Sequence, residues 1–148
     1  MDPRDGWRPF FDEVRDAFEG FAAGAGTDLH ATSHSRGCKA WFGPETREHY
    51  EAQLVRLDGS VVLEIGFHAE HRDGPRNRAV LAHLDTSLDW RGELGDDAVA
   101  GDFLGNEVWQ RLSEVWSDPE PDDELAIDAA ARLAEYARLI EPALRTLG

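Results

Sequence analysis

Two histidines and a set of carboxylates recur at matched spacing between Glu48 and Glu70, with His49 and Glu51 in one run and His68 and Glu70 in the next. Asp58-Gly59 separates two runs of alternating apolar and polar residues, and a two-residue type I′ turn there, which needs positive φ at both central positions, makes the stretch one long β-hairpin. The turn fixes the register. Leu57 then faces Ser60, and counting outward sets Leu54 opposite Leu63, Ala52 opposite Ile65 and Tyr50 opposite Phe67 on one face. The other face carries Val55 opposite Val62, Gln53 opposite Glu64, Glu51 opposite Gly66 and His49 opposite His68, with Glu70 one step beyond. Directly opposed side chains have Cβ atoms about 4.5 to 5.5 Å apart. His49 and His68 can therefore ligate one divalent metal ion, with Glu51 or Glu70 as the oxygen donor, and Gly66 is expected to leave room for a substrate or water. Sites with two imidazoles, a carboxylate and an open position activate water or O₂.

Other readings compete with this one. Alternating polar residues on an antiparallel sheet ordinarily face solvent, and the same residues without metal would make a small-molecule or peptide groove lined by Gln53, Glu64 and His68. The segment from Asp85 to Asp128 supports a different role, because it holds fourteen acids against only Arg91 and Arg111. Trp90, Phe103, Trp109 and Trp116 are interspersed among those acids, a composition suited to binding a basic protein partner, with carboxylates such as Asp96, Asp97 and Asp102 steering the encounter. Core packing of most of these tryptophans is the plainer expectation. Binding, through the acidic surface or the polar sheet face, is the leading expectation. A metal-dependent, hydrolase-like enzyme centred on His49 and His68 is the alternative.

Several chemistries find no support. His30, His34 and Cys38 recur at four-residue intervals, but Thr32, Ser33, Ser35 and Gly37 are poor helix residues, and in two strands only His30 and His34 share a face. A zinc site is not expected there, and Cys38, the single cysteine, reads as a buried thiol. There is no Gly-x-Ser-x-Gly elbow and no phosphate-binding glycine loop after a strand. The lysine that a Glu-x-Lys nuclease motif needs is missing too, since Ile65-Gly66 follows Glu64. A net charge of −15 disfavours nucleic acid and anionic membrane surfaces, which are bound through clustered Lys and Arg. The absence of an apolar run of about 18 residues and of a signal-peptide pattern at Met1-Asp2-Pro3-Arg4 points to a cytoplasmic protein.

The elements that must position these residues follow from periodicity. Phe10, Val14, Phe18 and Phe21 predict a helix over Pro9 to Ala23, and short strands are expected at 28–34 and 38–42. Asp73-Gly74-Pro75 opens a second helix running to about Trp90, with Asp73 expected to cap it. Residues 92–107, with four glycines and five acids, read as an exposed loop with one helical turn. Val108 to Trp116 fits strand or helix, and its aromatic and β-branched content favours strand. Leu125, Ala129, Leu133, Tyr136, Ala137, Ile140 and Leu144 predict a C-terminal helix from about Asp122, with Pro142 kinking or ending it. The order describes one α+β domain, a mostly antiparallel sheet built around the long hairpin and packed by N-terminal, middle and C-terminal helices.

Overall fold

The computed structural model describes residues 2–147. Six strands form one antiparallel sheet: β1 (Leu29–His34), β2 (Gly37–Phe42), β3 (Glu48–Leu57), β4 (Ser60–Ala69), β5 (Val99–Phe103) and β6 (Asn106–Ser117), in the spatial order β1-β2-β3-β4-β6-β5. Four helices accompany them: α1 (Arg8–Phe21), α2 (Gly74–Ser87), the short α3 (Trp90–Leu94) and α4 (Asp123–Leu144). The α+β class and the antiparallel sheet agree with the pattern in the chain. No helix among the described residues is long and apolar enough to cross a membrane.

The hairpin of β3 and β4 has the register that its turn dictates. Asp58 and Gly59 both adopt positive φ, Leu57 pairs with Ser60, Leu54 with Leu63, Tyr50 with Phe67 and His49 with His68. Tyr50, Ala52, Leu63, Ile65 and Phe67 are all buried on the face that α1, α4 and α2 cover, where they meet Phe11, Val14, Phe18, Leu84, Leu133 and Ile140. Phe10, Phe11, Val14 and Phe18 make α1 an amphipathic helix, while Phe21 at its end stays exposed. Polar ties fix α4 to the sheet: the Tyr50 hydroxyl donates to Glu141 Oε1 at 2.9 Å and the Tyr136 hydroxyl to Glu114 Oε1 at 2.7 Å. Pro142 does not end α4, which continues to Leu144 because a proline in the last turn breaks only one backbone bond of the ladder.

Three local expectations change. The stretch 92–107 does hold helical residues, the end of α3, but beyond them it is no loop: Val99–Phe103 pairs with β6 as an edge strand through a turn at Leu104-Gly105. Both turn residues have positive φ, so the turn has the hairpin form although its first position is a leucine. The helix opened by Gly74-Pro75 stops at Ser87, because Asp89 starts a new one by accepting a hydrogen bond from the Gly92 N–H. Asp73 sits at the N-cap of α2, but its side chain makes no capping bond, and Pro75 supplies the start. Buried Asn77 docks α2 instead, its amide donating at 2.8 Å to the carbonyls of His71 and Val108 while its oxygen accepts from the His71 N–H.

Leu133 and Ile140 are fully buried between α4 and the sheet, so Leu133→Ala or Ile140→Ala should lower stability by about 2–5 kcal/mol in urea denaturation. Wild-type midpoints for both variants would mean that α4 docks only loosely.

Candidate metal centre on the hairpin face

The face of β3 and β4 turned away from the helices is not a solvated surface. His49, Glu51, Glu64 and His68 are all buried, and Glu70 exposes only 15% of its side chain. Cover comes from the flanking strands. Phe103 of β5 lies edge-on to the His68 ring at 4.6 Å between centroids, and Trp109 of β6 packs in turn against Phe103 at 6.2 Å. On the other side Lys39 of β2 stands directly opposite Glu51.

Four side-chain atoms converge here: one from each of His49, Glu51, His68 and Glu70, all within 4.8 Å of one another. Glu51 Oε1 is 3.1 Å from His49 Nε2 and 3.1 Å from His68 Nδ1. Glu70 Oε2 lies 3.6 Å from the first nitrogen and 3.4 Å from the second. Atoms bound at about 2.1 Å to a common ion lie roughly 3 to 3.5 Å from their neighbours, and the four nitrogen–oxygen distances fall close to that range, which is also that of hydrogen bonds between the rings and the carboxylates. The backbone holds each member in place. His49 and His68 form a directly opposed pair on adjacent strands, and the Glu70 N–H donates to the Arg47 carbonyl at 2.7 Å. His71 beyond it is pinned by Asn77 and sits 2.6 Å from Glu48.

The outer nitrogens of the two imidazoles are already committed. His49 Nδ1 is 2.9 Å from the Thr46 carbonyl, an acceptor only, so this nitrogen carries the proton and donates. His68 Nε2 is 2.7 Å from Glu64 Oε2, and Glu64 Oε1 accepts from the Gln53 amide at 3.1 Å. A carbonyl or carboxylate that takes the far N–H of an imidazole sets its tautomer and raises the basicity of the near nitrogen. The near nitrogens, His49 Nε2 and His68 Nδ1, thus point at Glu51 and Glu70 with a lone pair available to an ion. The two rings present opposite nitrogens to one centre.

Without an ion the same positions take protons. Burial disfavours the charged imidazoles, but hydrogen bonds with Glu51 and Glu70 outweigh it for His49, and Glu64, Glu51 and Glu70 together hold His68 well above its ordinary range. Burial likewise disfavours ionised Glu51 and Glu70, and the two imidazoles more than reverse this, drawing Glu51 far down and Glu70 to about 2. With Glu51 and Glu70 ionised, two imidazolium rings balance their charge. One divalent ion with two neutral rings does the same.

The sequence-derived site residues sort clearly. His49, His68, Glu51 and Glu70 come together, both carboxylates taking part where one was expected. Gln53 and Glu64 lie behind His68 as its support and do not line a groove. Gly66 leaves no room for substrate: its φ is +155°, and a Cβ there would fall 2.5 Å from the Leu112 carbonyl oxygen and Ser113. Glycine is needed because β4 and β6 approach closely at this point. Asp96 and Asp97 are exposed between α3 and β5, and exposed Asp102 accepts from the Gln110 amide at 2.8 Å. Of the aromatics in that acidic segment, only Trp90 is fully in the core. His30 stacks on Trp41 at 5.4 Å, whereas Cys38 pairs with Ser33 and is buried on the helix face with its thiol pushed up to about 12 by burial. The residues missed in the chain are Thr46, whose contribution is a carbonyl, and Phe103, hidden in the stretch read as loop.

No protein-family model matches the chain, no curated protein matches its sequence and no solved structure matches its fold.

The protonation pattern predicts how the chelator-treated protein responds to pH. His49 and His68 have folded values above their ordinary 6.5, so their contribution is complete below about pH 6.5 and is lost as pH rises through the folded values. Glu51 and Glu70 are depressed from 4.5, so theirs is complete above about pH 4.5 and is lost as pH falls. The urea midpoint should be highest between those limits and fall from pH 6 to pH 8.5. A midpoint that rises over that interval would show that the rings are neutral in the metal-free fold.

Proposed function

We propose that this protein binds a divalent transition-metal ion through His49 Nε2, Glu51, His68 Nδ1 and Glu70, and that it is a metal-dependent enzyme of the hydrolytic kind. The observation that carries this reading is the pair of buried imidazoles, each with its outer N–H given to a fixed acceptor and its inner nitrogen turned to the same two carboxylates. A solvated face would not need Glu64 and Gln53 stacked behind His68. Two imidazoles with two carboxylates suit Zn²⁺, Mn²⁺ or Fe²⁺ better than Cu⁺, which favours sulfur ligands. Glu70 is the member nearest solvent, and the chemistry such an ion supplies at an accessible position is Lewis-acid activation of water or of a polar substrate bond.

The acidic-surface reading has less to rest on. Three of its four aromatics are engaged within the fold: the Trp90 indole donates to Asp85 at 3.1 Å, the Trp116 indole to Glu114 at 2.7 Å, and Phe103 covers His68, which leaves Trp109 alone open to solvent. A basic partner would meet carboxylates with a single free aromatic anchor.

Stripped protein titrated with Zn²⁺ or Mn²⁺ should bind one ion per chain and melt at higher temperature, the stabilisation reaching about 2.7 kcal/mol at a free concentration one hundred times Kd. His49→Ala and His68→Ala should abolish this response, and Glu64→Gln should weaken binding about 10- to 100-fold without touching a ligand. Ion binding that survives both histidine substitutions would refute the proposal.

A further inference from the structure

Beside the cluster lies a shallow cleft of about 220 Å³ lined by Lys39, Thr46, Arg47, Glu70 and Trp109. One wall, Glu70, is a member of the four-residue centre. Two others are cations carried on different parts of the sheet: Lys39 within β2, and Arg47 just before β3. Arg4, Arg15, Arg36, Arg91 and Arg132 all have carboxylates within 4 Å. Among the described residues Lys39 and Arg47 have none; the same holds of Arg8, Arg72, Arg78 and Arg138, which are exposed, and of Arg111, which donates to Ser113, whereas Lys39 and Arg47 are half-buried, and Lys39 is the only lysine of the chain. The remaining walls are Thr46 and Trp109, the latter 36% exposed and one of the few large apolar side chains left open to solvent.

We propose that this cleft is the substrate subsite and takes a small organic carboxylate, its carboxylate held between Lys39 and Arg47 and its planar or apolar body lying along Trp109. The inference rests on the metal reading for the reacting centre, but the cleft itself is made of residues that ligate nothing, Glu70 excepted. A guanidinium fork and an ammonium supply the donors that a carboxylate accepts. A monoanion fits better than a phosphoryl dianion, because Glu70 forms part of the same wall and Glu51 and Glu64 lie behind it, so each further negative charge is repelled. Neutral and cationic molecules leave both cations unpaired. Trp109 adds an aromatic face against which an unsaturated or aromatic body can stack, and the volume limits the ligand to a small molecule.

The test uses the full chain, zinc-loaded and metal-free, titrated with benzoate, benzamide and phenyl phosphate while the indole N–H resonances are followed. Benzoate should bind both forms and shift the Trp109 resonance, and benzamide and phenyl phosphate should bind at least about tenfold more weakly. The double variant K39Q/R47Q should lose about tenfold or more in benzoate affinity with no weakening of zinc binding, since removing two positive charges near the centre cannot disfavour a cation. Its melting temperature, followed in parallel, should stay near wild type because neither residue has an ion-pair partner among the described residues. Trp109→Ala should weaken benzoate without altering the preference over benzamide. Benzoate binding unchanged in K39Q/R47Q, benzamide binding as tight as benzoate, or no benzoate binding at all would overturn the inference. Tighter binding of phenyl phosphate would overturn the carboxylate assignment. Failure of zinc to bind with the benzoate results intact would count against the metal reading alone.

Discussion

Burying two imidazoles and three carboxylates on one sheet face is tolerable only if the negative charge is matched in place. Ionised groups removed from water cost several kcal/mol each unless paired and hydrogen-bonded. Here the outer ring nitrogens are occupied by the Thr46 carbonyl and by Glu64, so the compensating charge must sit between the rings, against Glu51 and Glu70. Two protons or one divalent ion satisfy that requirement equally in charge. They differ in geometry, because an ion joins all four groups at one point whereas protons tie each ring to a carboxylate separately.

The same constraint explains why the hairpin register is strict. In β3 and β4 alternate residues serve opposite faces, so Tyr50, Ala52, Ile65 and Phe67 enter the helix-covered core while His49, Glu51, Glu64 and His68 enter the charged cluster. A slip of one residue would put carboxylates against Phe11 and Leu133 and the aromatic rings against Lys39. Gly66 reinforces this alignment, since only a residue without Cβ allows β6 to approach at Ser113. Two dry faces on one hairpin therefore depend on one turn, Asp58-Gly59.

How much of this was legible follows the range of the signals. The turn and the apolar alternation are local, and they reveal the register, the helix-facing core and the opposition of His49 and His68. The two flanking helices α1 and α4 are equally visible, because their stripes repeat over several turns. Burial of the polar face was not legible, because its cover arrives from elsewhere in the chain. Phe103 lies in a glycine- and acid-rich segment whose leucine-led turn gives no hairpin signal, and reading 92–107 as a loop removed the strand that closes over His68. The role of Thr46 was invisible for another reason: a backbone carbonyl is present in every residue, and only the fold decides which one faces His49 Nδ1. Pairing of Lys39 or Arg47 likewise cannot be read from a chain rich in acids, since it depends on which carboxylates are near.

The central claim is that one ion is held by opposite nitrogens of two buried rings, and long-range ¹H–¹⁵N correlation of the histidine imidazoles tests it most directly. In zinc-saturated protein at pH 7.5, His49 should carry its proton on Nδ1 with Nε2 shifted by the metal, and His68 should carry its proton on Nε2 with Nδ1 shifted. Both rings remaining doubly protonated at saturating zinc, or zinc shifts confined to other histidines, would contradict the account.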